Sequence, residues 1–226
     1  MTFASLELRN TPVTPAIKAI KYGSIDLLFR TELRPIMIPY SQTFDYQNHT
    51  LMSPSSPLIL GFAAFSGTGK TSLLTRLIPL LKDRNLRIAA IKHSHHDFEI
   101  DYPGKDSHSL RSAGASPVLI ASPYRRAIIT EFEEPHSITL DDQVSLLASE
   151  NLDLILVEGF HHEAFNKIEL HRPSLGKPLL YPNDPNIIAI ASDQLIATGE
   201  LPWLDLNHPA AIAEFIINLY QNSACD

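Results

Sequence analysis

The sequence is poor in the residues that mark several protein classes. A single cysteine, Cys225, stands next to the C-terminus of 226 residues, which leaves no disulfide framework and no cysteine-based metal site. No apolar stretch approaches the ~20 residues of a membrane span. Positive charge is also in deficit, with 18 Lys and Arg against 25 Asp and Glu and a formal charge of −7. A general affinity for DNA or RNA wants a basic stripe, so any anion site here must be local and nucleic acid is not an expected partner. Residues 1–57 hold one glycine, Gly23, and no sustained hydrophobic period. They contain no basic start followed by an apolar core and a small-residue cleavage site, which argues against a secretory signal and makes the cytoplasm the expected location. Pro54, Ser55, Ser56 and Pro57 break the chain just before its first strong pattern, and Met52 precedes that break. The expectation for 1–57 is a poorly structured extension, or a segment lying upstream of a translation start at Met52.

What is present begins at Leu58. Residues 58–74 read LILGFAAFSGTGKTSLL: an apolar strand, a short loop with Gly67 and Gly69, and Lys70-Thr71 opening a leucine-rich helix. A polyphosphate needs several backbone N–H groups converging on it, and glycine allows the tight turn that brings them close. The new helix adds its unpaired N–H groups and the positive end of its dipole. Lys70 would reach the terminal phosphates and the Thr71 hydroxyl would ligate Mg²⁺. The pattern G-x-x-x-x-G-K-[ST] is met except at its first position, which is Ala64.

The helix carries Leu73, Leu74, Leu77, Ile78, Leu80 and Leu81 at three and four spacing, with Pro79 expected to kink it and Asn85 to end it. Leu86–Ile91 reads as a second strand. The polar stretch KHSHHDFEIDYPGKD follows, and places Asp97, Asp101 and Asp106 beyond the C-terminal end of that strand, the edge where open parallel sheets bind ligands. His93, His95 and His96 could serve a metal, line a phosphate or substrate pocket, or lie on the surface. A helix over 105–113, a strand over 118–121 and a short hairpin through Ile128-Ile129 come next; Arg125 and Arg126 could neutralise phosphate charge or be solvated. Residues 140–149 are weakly helical.

Asp153-Leu-Ile-Leu-Val-Glu158-Gly159 is an apolar strand bounded by two acids, similar to the Walker B element that binds Mg²⁺. At ~3.3 Å per residue the two acids lie about 16 Å apart and cannot share a site. Glu158 falls on the edge of the phosphate loop, and Asp153 on the far edge as a cap or surface group. Further strands are expected at 168–170 and 187–191, separated by a surface, mobile loop over 175–186, and a closing amphipathic helix starts near 207–209. Asp193 follows the 187–191 strand, where a carboxylate can accept from the N1–H and exocyclic amine of guanine. The lysine that precedes such an aspartate in the full guanine motif is replaced by Ala191.

AAFSGTGKTSLL, IKHSHHD, DYPGKDSHSLRSAGA, LDLILVEGF and AIASD, in this order and at compact spacing, resemble the molybdopterin-guanine dinucleotide biosynthesis protein B (MobB) family over residues 58–222. The resemblance implies a GTP-binding P-loop protein, a three-layer α/β fold with a mainly parallel sheet over 58–222, and a homodimer. It implies a role in molybdenum-cofactor maturation beside the molybdopterin guanylyltransferase, with molybdopterin itself or molybdoenzyme chaperones as further partners, and slow GTP hydrolysis at most. By position, Ser66, Gly67, Thr68, Gly69, Lys70, Thr71 and Ser72 would hold the phosphates. Thr71 and Glu158, with Asp97 or Asp106, would stand at the metal, Lys70 and Glu158 would carry any hydrolysis, and Asp193 would read the base. Two other readings use the same phosphate loop. A small-molecule kinase would close Arg111, Arg125 or Arg126 over the phosphates, and a metal-insertion GTPase chaperone would rest on the three histidines.

Overall fold

The computed structural model describes residues 56–94 and 97–223; the expectations for residues 1–55 and for the side chains of His95 and His96 lie outside them. Its centre is a six-stranded sheet of β1 (Leu58–Ala63), β2 (Ile88–Lys92), β5 (Leu154–Glu158), β6 (Lys167–His171), β7 (Ile187–Ser192) and β8 (Trp203–Asp205). The spatial order is β2-β5-β1-β6-β7-β8, and every neighbouring pair is parallel. Because β5 and β6 flank β1, the C-terminal ends of these three strands form one rim. A separate antiparallel pair, β3 (Val118–Ser122) and β4 (Arg125–Ile129), follows the short helix α2 (Asp106–Ser112) in the excursion between β2 and β5.

Alternation along the strands decides what covers each face. Leu58, Leu60 and Phe62 of β1, Leu154 and Leu156 of β5, and Ile168 and Leu170 of β6 meet Leu73, Leu77 and Leu81 of α1 (Lys70–Lys82) and Ile212 and Ile216 of α4 (Pro209–Ser223). Leu77 and Ile212 are fully buried, and each such side chain contributes about 1.5–3 kcal/mol by leaving water. The opposite face is divided. Ile155 and Val157 pack under α3 (Leu140–Leu146), which Thr139 caps by accepting from the Asp142 N–H; Ala63, Ile187 and Ile190 are covered by Leu179, Leu180, Tyr181, Ile196 and Leu201 from loops. Helices on one face, with a helix and loops on the other, give the expected three-layer α/β arrangement.

A loop over a sheet brings backbone N–H groups that need acceptors. The buried Glu169 supplies them, accepting from Leu180 N–H at 2.8 Å and Tyr181 N–H at 2.9 Å. Burial raises its pKa, and those two hydrogen bonds oppose the shift. The 175–186 segment lies at the surface as expected, with its backbone tied down at Leu180 and Tyr181 and short 3₁₀ turns at Pro173–Leu175 and Tyr181–Asn183.

One expectation is corrected. Asp153 is not a surface group: it is 5% exposed and accepts from Arg87 through the backbone N–H, Nε and Nη2, and from the Tyr220 hydroxyl. The α1 helix continues past Pro79 to Lys82, and Asn85, at φ 62°, follows its end. Strand β8 was not anticipated; three residues after Pro202 are too short to show a period. Among the described residues no helix is long and apolar enough to cross a membrane.

Candidate functional site

The loop after β1 is built from small residues for identifiable reasons. Ala64, at the place where the phosphate-loop pattern has its first glycine, packs its methyl into the α1-side core and is 7% exposed. Its carbonyl faces inward and accepts from Lys70 Nζ at 2.8 Å, with the Phe65 carbonyl at 3.4 Å. Gly67 and Gly69 adopt φ of 81° and 100°, which costs a non-glycine residue roughly 1–2 kcal/mol. A side-chain carbon on Gly67 would touch nothing within 4 Å, so the loop's outer side is open. Thr68 is buried and closes the turn through Oγ1, which donates to the Phe65 carbonyl at 2.8 Å. Ser66, Thr71 and Ser72 are exposed at the mouth.

Helix α1 starts at Lys70 with no capping side chain and no acid in its first turn. Its first N–H groups therefore face outward without a side-chain acceptor, at the positive end of the helix dipole. An uncompensated helix start beside a lysine and an open glycine loop is what an oxyanion requires.

Glu158 ends β5 in register with Phe62 of β1 and Lys92 of β2, which brings three chain segments level at the rim. Burial lowers the Lys70 pKa below the ordinary lysine value; the Glu158 carboxylate opposes that shift, and Lys92 adds to it. Lys70 and Glu158 are thus near enough to interact electrostatically beside the loop. After Glu158 the chain turns sharply through Gly159 and Phe160, at φ 109° and 52°. Phe160 is buried and stacks on His93, with ring centroids 4.5 Å apart, and the His93 N–H donates to the Glu158 carbonyl at 2.8 Å. His93 therefore packs behind the acid. An open cleft of about 460 Å³ borders the first half of the loop, lined by Ala64, Phe65, Ser66, His161, His162 and Asn183.

Asp193 follows β7 on the same edge. Arg172, immediately after β6, donates from Nη1 to Asp193 Oδ2 at 2.6 Å and from Nε to the Thr68 carbonyl at 2.9 Å. Sequence reasoning missed this arginine. It precedes Pro173 and reads as loop, and only the register His171↔Ser192 places it level with Asp193. Lys92 was missed too, although it ends a strand on the ligand edge.

Asp97 and Asp106 are exposed, and among the described residues no three His, Cys, Asp or Glu side chains are grouped to hold a metal ion. Arg111 is bound by Glu99 and Asp101 at 2.7 Å each and by Glu131. Arg126 pairs with Glu150 at 3.0 Å on the exposed β4 strand, beside Arg125.

A family model described as molybdopterin guanine dinucleotide synthesis protein B matches residues 59–193. The molybdopterin-guanine dinucleotide biosynthesis adapter protein of Escherichia coli strain K12 is 44% identical over 164 residues, covering 72% of this chain and 93% of the relative. The adapter protein of the same description from Haemophilus influenzae Rd is 42% identical over 161 residues, with 71% and 88% covered. Among solved structures, one titled molybdopterin-guanine biosynthesis protein B superposes with a TM-score of 0.56 at 30% identity, covering 72% of this chain and 99% of that one. A MobB protein homolog from Bacillus stearothermophilus gives 0.55 at 18% identity, with 73% and 98% covered, and bears on the fold alone.

Proposed function

The chain belongs to the molybdopterin guanine dinucleotide synthesis protein B family, and on that premise we propose that it is an adapter of molybdopterin guanine dinucleotide biosynthesis that binds GTP with Mg²⁺. The observation that carries the nucleotide reading is the bare start of α1, where Lys70 and Glu158 meet an open glycine loop. The N–H groups of 66–72 would cradle the phosphates, with Lys70 moving from the loop carbonyls to the terminal phosphate.

The donors suit Mg²⁺, a hard ion that takes oxygen ligands and keeps several waters. Thr71 Oγ1 would bind it directly and Glu158 directly or through water, the phosphates supplying further oxygens, with Asp97 or Asp106 as the further acid near the ion. The ion would neutralise phosphate charge. Turnover would be slow at most: an arginine does stand at the loop, Arg172, but its guanidinium is held by Thr68 and Asp193. The kinase reading loses Arg111, which three carboxylates already engage.

Self-association through the β3–β4 excursion belongs to the same proposal. Ile100, Tyr102, Leu119, Ile128 and Phe132 are each more than half exposed there, and a two-stranded ribbon is marginal alone and has two open edges. A second copy supplies both an apolar face and a strand edge. The guanylyltransferase of the pathway is the proposed heterologous partner.

Titration of the purified full-length protein with GTP and ATP in Mg²⁺ tests the nucleotide assignment. GTP should bind at least tenfold more tightly; equal binding would remove the guanine reading. Sedimentation tests the dimer, and co-purification with the guanylyltransferase tests the adapter role.

A further inference from the structure

Three strands end at the rim, and Arg172 spans two of the loops that follow them. Because β6 lies between β1 and β7, the residue after β6 stands between the phosphate loop and Asp193. The Arg172 guanidinium is planar and rigid, and here it grips both: Nε on the Thr68 carbonyl and Nη1 on Asp193 Oδ2. Neither anchor is soft. Thr68 is 3% exposed, and Asn207 Nδ2 donates to the Asp193 carbonyl at 3.2 Å, fixing the backbone that carries the acid.

Each contact has a consequence. A trans peptide points its C=O and the next N–H in opposite directions, so pinning the Thr68 carbonyl towards Arg172 aims the Gly69 N–H away from it. At Asp193, Arg172 occupies one oxygen on one side, while Oδ1 is buried with no donor among the described residues. A buried acceptor left unmade is unfavourable. A carboxylate has about four lone-pair sites, so Asp193 keeps acceptor capacity for two donors that lie side by side, one of them reaching Oδ1 once a bound base displaces what covers it. Guanine offers this pair.

We propose that Arg172 is a positioning residue that couples base recognition at Asp193 to the shape of the phosphate loop, so that the loop is held in its binding form by the same side chain that orients the base-reading acid. The inference rests on the guanine reading above and extends it. A base seated on Asp193 stiffens the carboxylate, Arg172 stiffens with it, and the Thr68-Gly69 peptide is fixed. Nucleotides that leave Asp193 empty lose more than the base contact.

The test uses the full chain with three probes, Mg–GTP, Mg–ATP and base-free Mg–tripolyphosphate, and follows unfolding temperature for every variant. In the wild type GTP should bind better than ATP. Asp193→Ala should erase that preference and also weaken tripolyphosphate by about threefold, although the carboxylate is outside the phosphate loop. Arg172→Met should weaken tripolyphosphate by about fivefold and GTP by more, and Arg172→Lys should fail to restore the GTP-to-ATP ratio because one ammonium cannot span both acceptors.

Tripolyphosphate binding unchanged by Asp193→Ala overturns the coupling while leaving the guanine reading intact. So does an equal loss for GTP and ATP in Arg172→Met, or full rescue by Arg172→Lys. Equal GTP and ATP binding in the wild type overturns the guanine reading and this inference with it. Should Arg172→Met not fold, Asp193→Ala and Arg172→Lys decide alone.

Discussion

A side-chain carbon on Gly159 would stand 2.5 Å from Cβ of His93 and 3.3 Å from its backbone. The turn after β5 and the turn after β2 are packed too closely for any side chain between them. Gly159→Ala combines that overlap with a φ of 109°, and should destabilise the fold by roughly 3 kcal/mol. Gly67→Ala, at φ 81° with open space around it, should cost only about 1 kcal/mol while impairing nucleotide binding. Urea denaturation of the two variants separates a packing glycine from a ligand-facing one.

Lys70→Ala should lower GTP affinity by at least ~2 kcal/mol, about thirtyfold, through loss of a charge-assisted contact. Lys70 is half-buried and bonded to loop carbonyls, so the variant should also loosen the loop slightly. Unchanged affinity by calorimetry would remove Lys70 from the site.

Asp153 supplies a pH-dependent part of stability. Burial raises its pKa, but hydrogen bonds from Arg87 and Tyr220 prevail and hold it below the ordinary aspartate value. A carboxylate depressed in the folded state stabilises above its unfolded pKa of about 3.9, and the contribution is lost as pH falls through the folded value. Asp153→Asn should therefore cost about 2 kcal/mol at pH 7, less than a fully buried pair because Arg87 is 42% exposed. The difference from wild type should shrink below about pH 4, which denaturation at a series of pH values would reveal.

Arg111→Met releases Glu99, Asp101 and Glu131 together. Asp101, held low by its hydrogen bond to Arg111, would be left as a poorly solvated carboxylate. Limited proteolysis should cut the 97–135 segment faster, while GTP affinity should stay within about twofold of wild type. A large loss of nucleotide binding would revive the idea that this arginine reaches the phosphates.

Legibility in the sequence followed the strength of local periodicity. The strand 58–63, the helix from Lys70 and the acid Glu158 were all visible, because phosphate-loop chemistry fixes residue types over a short span. Residues 167–171 were readable only through Ile168 and Leu170: Lys167, Glu169 and His171 face a side covered by loops, where buried charge satisfies backbone groups and erases the apolar signal. Asp153 was misplaced for the same reason, since its partners Arg87 and Tyr220 are 66 and 67 residues away. Arg172 stayed hidden because its meaning depends on strand order, which no spacing along the chain encodes.

The uncapped start of α1 has a practical side. On the proposed nucleotide reading, sulfate or inorganic phosphate in a storage buffer should compete with nucleotide at the start of α1 by mass action. Affinities taken in such salts will read too weak, and preparations moved into chloride should regain their grip on small amounts of nucleotide.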